Sequence, residues 1–400
     1  MDMSEKVQQL LGRMHDELAD VKPSSIRAFD QEASKIPGVI KLTLGEPDFN
    51  TPEHIKQAAI KSIENNHSHY PQSAGTPGLR AAAADFLDKK YNLNYTADNM
   101  IVTVGATEAI ATAVLSVTNP GDEIIVPTPI WPMYISILKA HGVVPVYINT
   151  AEEDFVLSPA KLKATLDEHG DKIKAVVLNF PSNPTGVTYR RKDTKAIADV
   201  LSDRNVFVIA DEIYSELTYG EKHVSIAEYL PEQTILINGV SKSHAMTGWR
   251  IGIMAAQADI QKELFKMHQF SVTTATYVAQ DAAEEALTNG FDDGLEMCKD
   301  YQKRGEFVHE QMTSFGFKAT KPQGAFYSFC KIPASWEISD WDFCRQLLVE
   351  QKVALVAGSP FGPGGEGYIR ISYASSMANL QEAMKRISKF IENNFKNIGN

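Results

Sequence analysis

Apolar residues recur along this chain with two periods. From Glu5 to Asp20, the residues Val7, Leu10, Leu11, Met14 and Leu18 fall at helical spacing and predict a first helix, which Lys22-Pro23-Ser24-Ser25 ends. Further on, short apolar runs alternate with amphipathic stretches. The runs are Met100–Val104, Glu123–Val126, Val144–Ile148, Ala175–Asn179, Val206–Asp211, Thr234–Val240 and Ile251–Ala255. Seven such runs, most of them separated by helical patterns, predict an α/β fold whose large domain is a mostly parallel, seven-stranded sheet covered by helices. Ligands of such sheets bind outside the carboxyl ends of the strands.

After about residue 290 the texture changes. A long helical pattern leads into Gly316-Phe317 and then Ala325-Phe326-Tyr327-Ser328-Phe329. A helix is predicted around Trp341–Glu350, with strand-like Ala354–Val356 and Tyr368–Tyr373 after it. Leu380, Met384, Ile387, Ile391 and Phe395 line one face of a last helix. These features predict a smaller α+β domain. A piece of about 110 residues that also walls a cleft would have a thin core, so the N-terminal segment is expected to pack with it. The expected division is 1–47 as N-terminal arm and part of the small domain, 48–290 as the large domain, and 291–400 as the small C-terminal domain.

Composition narrows the function classes. The chain has 400 residues, 44% of them hydrophobic, which is ample for a full core. Its net charge of -11, from 39 basic and 50 acidic residues, argues against sequence-independent nucleic-acid binding, which needs cations to neutralise phosphates. Cys298, Cys330 and Cys344 are few, odd in number and without metal spacing, which fits a reducing cytoplasm and no metal site. Met1 to Val21 is polar and lacks a signal-peptide core, and no apolar run is long enough to span a membrane.

One lysine stands out. Lys242 follows the apolar run Thr234–Val240 within Gly239-Val240-Ser241-Lys242-Ser243-His244-Ala245-Met246-Thr247-Gly248-Trp249-Arg250-Ile251-Gly252. A lysine at a strand end, among small residues and with Arg250 eight positions later, suits a Schiff-base role: rigid support, desolvation that lowers its pKa, and a cation for a cofactor phosphate. Asp211 ends another apolar run, before Glu212-Ile213-Tyr214. Such a carboxylate can keep a pyridine nitrogen protonated, or it can cap a helix. Gly105-Ala106-Thr107 follows a third run and opens a helical stretch, whose N-terminal amides can cradle a phosphate with Ser241 and Arg250. Simple strand-to-helix geometry explains the same turn. Trp131 is a candidate to stack on a cofactor ring, or a core residue. Arg370 sits in the apolar Gly367-Tyr368-Ile369-Arg370-Ile371-Ser372-Tyr373 and needs a ligand or a buried carboxylate as its partner.

The segment around Lys242 resembles the pyridoxal-phosphate attachment signature of class I/II aminotransferases. Asp211-Glu212-Ile213-Tyr214, Asn183-Pro184-Thr185-Gly186, Gly45 in Leu44-Gly45-Glu46-Pro47, and Arg370 also resemble motifs of that family, specifically the class I gamma-like branch of the aspartate/aromatic aminotransferase superfamily, fold type I. The resemblance implies pyridoxal 5′-phosphate bound as an imine through Lys242, whose freed amine then moves the Cα proton of an L-amino acid. It implies ping-pong transfer of the amino group to a 2-oxo acid such as 2-oxoglutarate. Asn183 and Tyr214 would then donate to the cofactor's phenolic oxygen. Arg370 and the Gly45 backbone would meet the substrate α-carboxylate. Tyr70 would reach the phosphate of a neighbouring subunit, making the enzyme a homodimer with shared sites.

Thr107 stands where some aspartate-specific members of the branch place a lysine, which favours aromatic or long apolar donors. Arg204-Asn205-Val206-Phe207-Val208 and Ser215-Glu216-Leu217-Thr218-Tyr219-Gly220 are also similar to enzymes acting on acyl-diaminopimelate. Aspartate or acyl-diaminopimelate transamination, and β-elimination on the same scaffold, stay open as alternatives. A non-catalytic regulator would carry a DNA-binding helix pair ahead of this domain, for which the first forty-odd residues are too short. Two further patterns are set aside. Gly362-Pro363-Gly364-Gly365-Glu366-Gly367 leads into a strand rather than a helix, so it reads as a loop. His67 and His69 alternate without accompanying ligands and read as exposed polar residues.

Overall fold

The structure is a computed structural model that describes residues 3–395. All seven apolar runs become strands of one sheet: β1 (Met100–Thr103), β2 (Glu123–Thr128), β3 (Val144–Asn149), β4 (Ile173–Asn179), β5 (Phe207–Asp211), β6 (Thr234–Gly239) and β7 (Gly252–Ala255). Their order is β1-β7-β6-β5-β4-β2-β3. Only β7 runs antiparallel to its neighbours.

Helices cover both faces, which is why the runs are apolar throughout rather than alternating. Val176, Val208, Ala210 and Leu236 join one core with Leu79, Leu162 and Ile197 from the helices. Their strand neighbours Val177, Ile209, Ile235 and Ile237 face the other core, with Ala109, Ile110 and Leu138. The edge strand β3 is half exposed and carries Pro145, whose missing N–H is tolerated at an edge.

A second core lies in the C-terminal part. The antiparallel strands β8 (Lys318–Ala319), β9 (Tyr327–Lys331), β10 (Val356–Ala357) and β11 (Tyr368–Ser372) form a sheet in the order β10-β11-β9-β8. The helices Gly294–Ser314, Asp340–Gln351 and Met377–Asn394 pack with it. Phe29, Ala33 and Leu42 join this core, and Ile40–Lys41 pairs with Val353–Ala354. The N-terminal segment therefore does pack with the C-terminal part, through residues 25–42.

Several local expectations are corrected. The first helix is not continuous from Glu5 to Asp20. It spans Met3–Leu11 and buries nothing, and a separate 3-10 turn, Asp16–Asp20, lies against the helix Pro132–Ala140 of the large sheet unit. Gly12 follows the break, and without a core to face, periodicity alone does not hold the helix together. In the segment 325–329 the strand β9 begins at Tyr327, after Ala325 takes a left-handed backbone (φ 55°). His67 is not simply exposed: its Nδ1 lies 2.6 Å from Asp281 and its ring stacks on Tyr277. His69 is exposed, and residues 362–367 form a loop that leads into β11.

Candidate active site

Most of the predicted site residues lie at the carboxyl edge of the large sheet. Gly105 follows β1, Trp131 follows β2, Asn183 follows β4, Asp211 ends β5, and Ser241 and Lys242 follow β6. Arg250 precedes β7, whose reversed direction brings its start to the same edge. Arg370 comes from β11 of the C-terminal sheet, and the segment around Gly45 crosses from that core.

Lys242 is half-buried, and its Nζ donates to the Gly45 carbonyl at 2.7 Å. It lies over the rings of Tyr214 (5.6 Å) and Phe326 (5.9 Å). Burial lowers its pKa to about 8; Arg250 and Arg370 push the same way, and Glu46 and Asp211 oppose them. About a tenth of the amine is therefore free at pH 7, far more than for an ordinary lysine.

Asp211 is buried. Its Oδ2 accepts from the Tyr134 hydroxyl, and its Oδ1 accepts from the Ile213 N–H at 3.1 Å. Burial raises its pKa to about 6, against the lowering effect of those two donors. Tyr214 is buried too, its hydroxyl 2.8 Å from that of Tyr327, and burial holds its pKa well above the ordinary value.

Arg370 is 1% exposed. Its Nη1 donates to Asn183 Oδ1 at 2.8 Å and its Nη2 to the Thr43 carbonyl. Its Nε has no partner among the described residues. The guanidinium carbon lies 4.6 Å from the Tyr327 ring and 5.2 Å from that of Phe361. A buried cation held only by neutral oxygens is an unfinished ion pair, and it suits an incoming carboxylate.

The helix Gly105–Val117 opens at the site. Gly105 has φ 73°, and a Cβ there would overlap the Arg250 guanidinium. A Cβ on Gly252 would come within 2.6 Å of the Gly105 backbone and Thr103 Oγ1. These glycines let Arg250 and the helix N-terminus approach one another. Ala106 is partly buried, Thr107 is exposed and Ser241 is buried. Trp131 caps the helix that carries Tyr134. Tyr70 is 86% exposed in the single chain.

Two residues that touch the site were missed in the sequence: Tyr134 and Tyr327. Both sit in apolar surroundings and read as core. The available signal was tyrosine rather than phenylalanine, since a buried hydroxyl needs a partner. Among the described residues, no group of three or more His, Cys, Asp or Glu is placed to hold a metal ion, and no helix is long and apolar enough to cross a membrane.

The family model for "Aminotransferase class I and II" matches residues 37–387. The chain belongs to this family. A "Probable N-acetyl-LL-diaminopimelate aminotransferase" of Bacillus subtilis (strain 168) is 46% identical over 373 residues, 93% of this chain and 94% of that protein. The solved aspartate aminotransferase from Thermus thermophilus with maleate superposes with a TM-score of 0.89 at 34% identity, covering 94% of this chain and 99% of that one. The aromatic aminotransferase from Pyrococcus horikoshii OT3 gives 0.85 at 35% identity, covering 91% and 99%. This chain is an aminotransferase, with the α/β fold of these relatives.

Proposed function

We propose that the cluster binds pyridoxal 5′-phosphate at Lys242 and moves an amino group from an L-amino acid with an aromatic or long apolar side chain to a 2-oxo acid such as 2-oxoglutarate. The donor set fits this cofactor. A partly desolvated amine, a buried carboxylate, a buried phenol and a helix N-terminus beside an arginine lie around one sheet edge. Bound there, the cofactor supplies an electron sink for the pair left when a Cα–H bond breaks.

In this reading Lys242 is the attachment point, and its amine takes the Cα proton and returns it. Asp211 keeps a proton on the ring nitrogen. Tyr214 and the Asn183 amide donate to the phenolic oxygen. The amides of Gly105, Ala106 and Thr107, with Ser241 and Arg250, hold the phosphate. Trp131 covers a ring face. Arg370, beside the Gly45 backbone, takes the substrate α-carboxylate. A second copy of the chain supplies Tyr70 to the phosphate, so the site is shared in a homodimer. The large unit at 48–290 carries the cofactor groups, and 291–400 with the N-terminal segment carries the carboxylate clamp.

The buried, unfinished environment of Arg370 is the observation that carries the substrate reading. Next to it lies an apolar cluster of Ile26, Phe155, Phe329, Phe361 and Tyr368, with Trp131 packed against it. Thr107 brings no cation, and Arg27 is exposed. That apolar cluster suits an aromatic or long apolar donor side chain. A second donor reading, an acylated diaminopimelate, draws on the relative at 46% identity; its long side chain also keeps charge away from the Cα. The test is a donor panel of phenylalanine, tyrosine, aspartate and N-acetyl-LL-diaminopimelate with 2-oxoglutarate, compared by kcat/KM. A clear preference for aspartate would overturn both donor readings.

A further inference from the structure

Tyr327 opens β9 and carries a fully buried side chain from the C-terminal core into the site. Its hydroxyl lies 2.8 Å from the Tyr214 hydroxyl. The same hydroxyl fills the space that a Cβ on Gly45 would take, while the Gly45 carbonyl holds Lys242. The Tyr327 ring faces the Arg370 guanidinium at 4.6 Å. One side chain thus touches three residues with three different assigned jobs.

We infer that Tyr327 is a positioning residue: it donates its hydroxyl proton to Tyr214, so that the Tyr214 proton is left to point into the cofactor site. This rests on the pyridoxal-phosphate reading above. A phenol has a single proton, so of two hydroxyls in contact one donates and the other keeps its proton for a further acceptor. Arg370 beside Tyr327 favours that phenol as the donor, because a cation stabilises the charge left by a shared proton. The ring meanwhile packs against the face of Arg370, which holds the guanidinium where a carboxylate can reach it. The hydroxyl therefore acts on the cofactor side and the ring on the substrate side.

The test uses the pyridoxal-phosphate-loaded enzyme and two readouts. One is the pH at which the absorbance of the lysine-bound cofactor titrates; the other is the split between kcat and KM. Tyr327→Phe removes the hydroxyl and keeps the ring. The absorbance titration should move up by about half to one pH unit, and kcat should fall about tenfold, the scale of one hydrogen bond. KM for the amino acid should change less than about twofold. Tyr327→Leu should in addition raise KM several-fold. Tyr214→Phe should shift the titration as well, and adding Tyr327→Phe to it should change the titration no further.

If Tyr214→Phe moves the titration and Tyr327→Phe does not, this inference is wrong and the cofactor reading stands. If neither moves it while the lysine-bound absorbance is present, the inference falls together with the role of Tyr214. If the loaded protein shows no lysine-bound absorbance, the cofactor reading itself fails and takes the inference with it.

Discussion

Asn183 and Arg370, 187 positions apart in the chain, meet at 2.8 Å, with the arginine donating and the amide oxygen accepting. The contact ties the loop after β4 to β11, and so ties the proposed cofactor edge to the proposed carboxylate clamp. Asn183→Asp would place an anion against Arg370 and satisfy it internally. A substrate carboxylate would then compete with a built-in one. We expect KM for both amino and oxo acid to rise by about a hundredfold, the scale of losing a charge-assisted pair. Asn183→Ala leaves the cation unpaired and should raise KM far less. Steady-state kinetics of the two variants checks the order, and equal effects would contradict it.

Tyr134 bears on Asp211 in a similar way. Its hydroxyl donates to a buried carboxylate oxygen, and the hydrogen bond lowers the Asp211 pKa against burial. Tyr134→Phe should therefore raise it further. The acidic limb of the pH–rate profile should shift upward by about one pH unit. An unchanged limb would show that Tyr134 only fills space.

Asp211 also sets a pH dependence of stability in the cofactor-free protein. Its folded pKa of about 6 lies above the ordinary 3.8. The folded state then holds more protons than the unfolded state between these values, so stability falls as pH rises through that window. Asp211→Asn removes this cost. The variant should gain melting temperature over the wild type at pH 7, with the gain shrinking toward pH 4, while amino transfer falls at least about a hundredfold. Thermal melts at both pH values check the sign.

The exposed Tyr70 predicts complementation between subunits. Phe270, 87% exposed, is likewise uncovered in the single chain. Mixing Tyr70→Phe chains with Lys242→Ala chains should give hybrids in which one site carries both lesions and the other neither, restoring part of the activity. A fully active monomer would contradict the shared site.

The strands were legible because a sheet buried on both faces demands continuous apolar runs, a demand that all but the half-exposed edge strand β3 meet. The proposed cluster of Gly105, Asn183, Asp211 and Lys242 was legible because its motifs follow or end those runs, whereas Arg370, within β11, stood out as a cation in an apolar strand. Residues set by tertiary juxtaposition were not legible. Tyr134 meets Asp211 across 77 positions and Tyr327 meets Tyr214 across 113, and no local pattern marks either. The helix expected from Glu5 to Asp20 failed for a related reason: no residue of Met3–Leu11 is buried, so its apolar face is left uncovered among the described residues. His67 read as free because its partner Asp281 lies 214 positions away.

The central claim is that Lys242 carries the cofactor. Its desolvated amine, with a pKa of about 8, is set up for imine formation. The direct measurement is borohydride reduction of the protein loaded with pyridoxal 5′-phosphate, followed by peptide mapping. The account predicts a single adduct on Lys242 and none in Lys242→Ala, whose turnover is abolished. An adduct on any other lysine, with Lys242 unmodified, would contradict it.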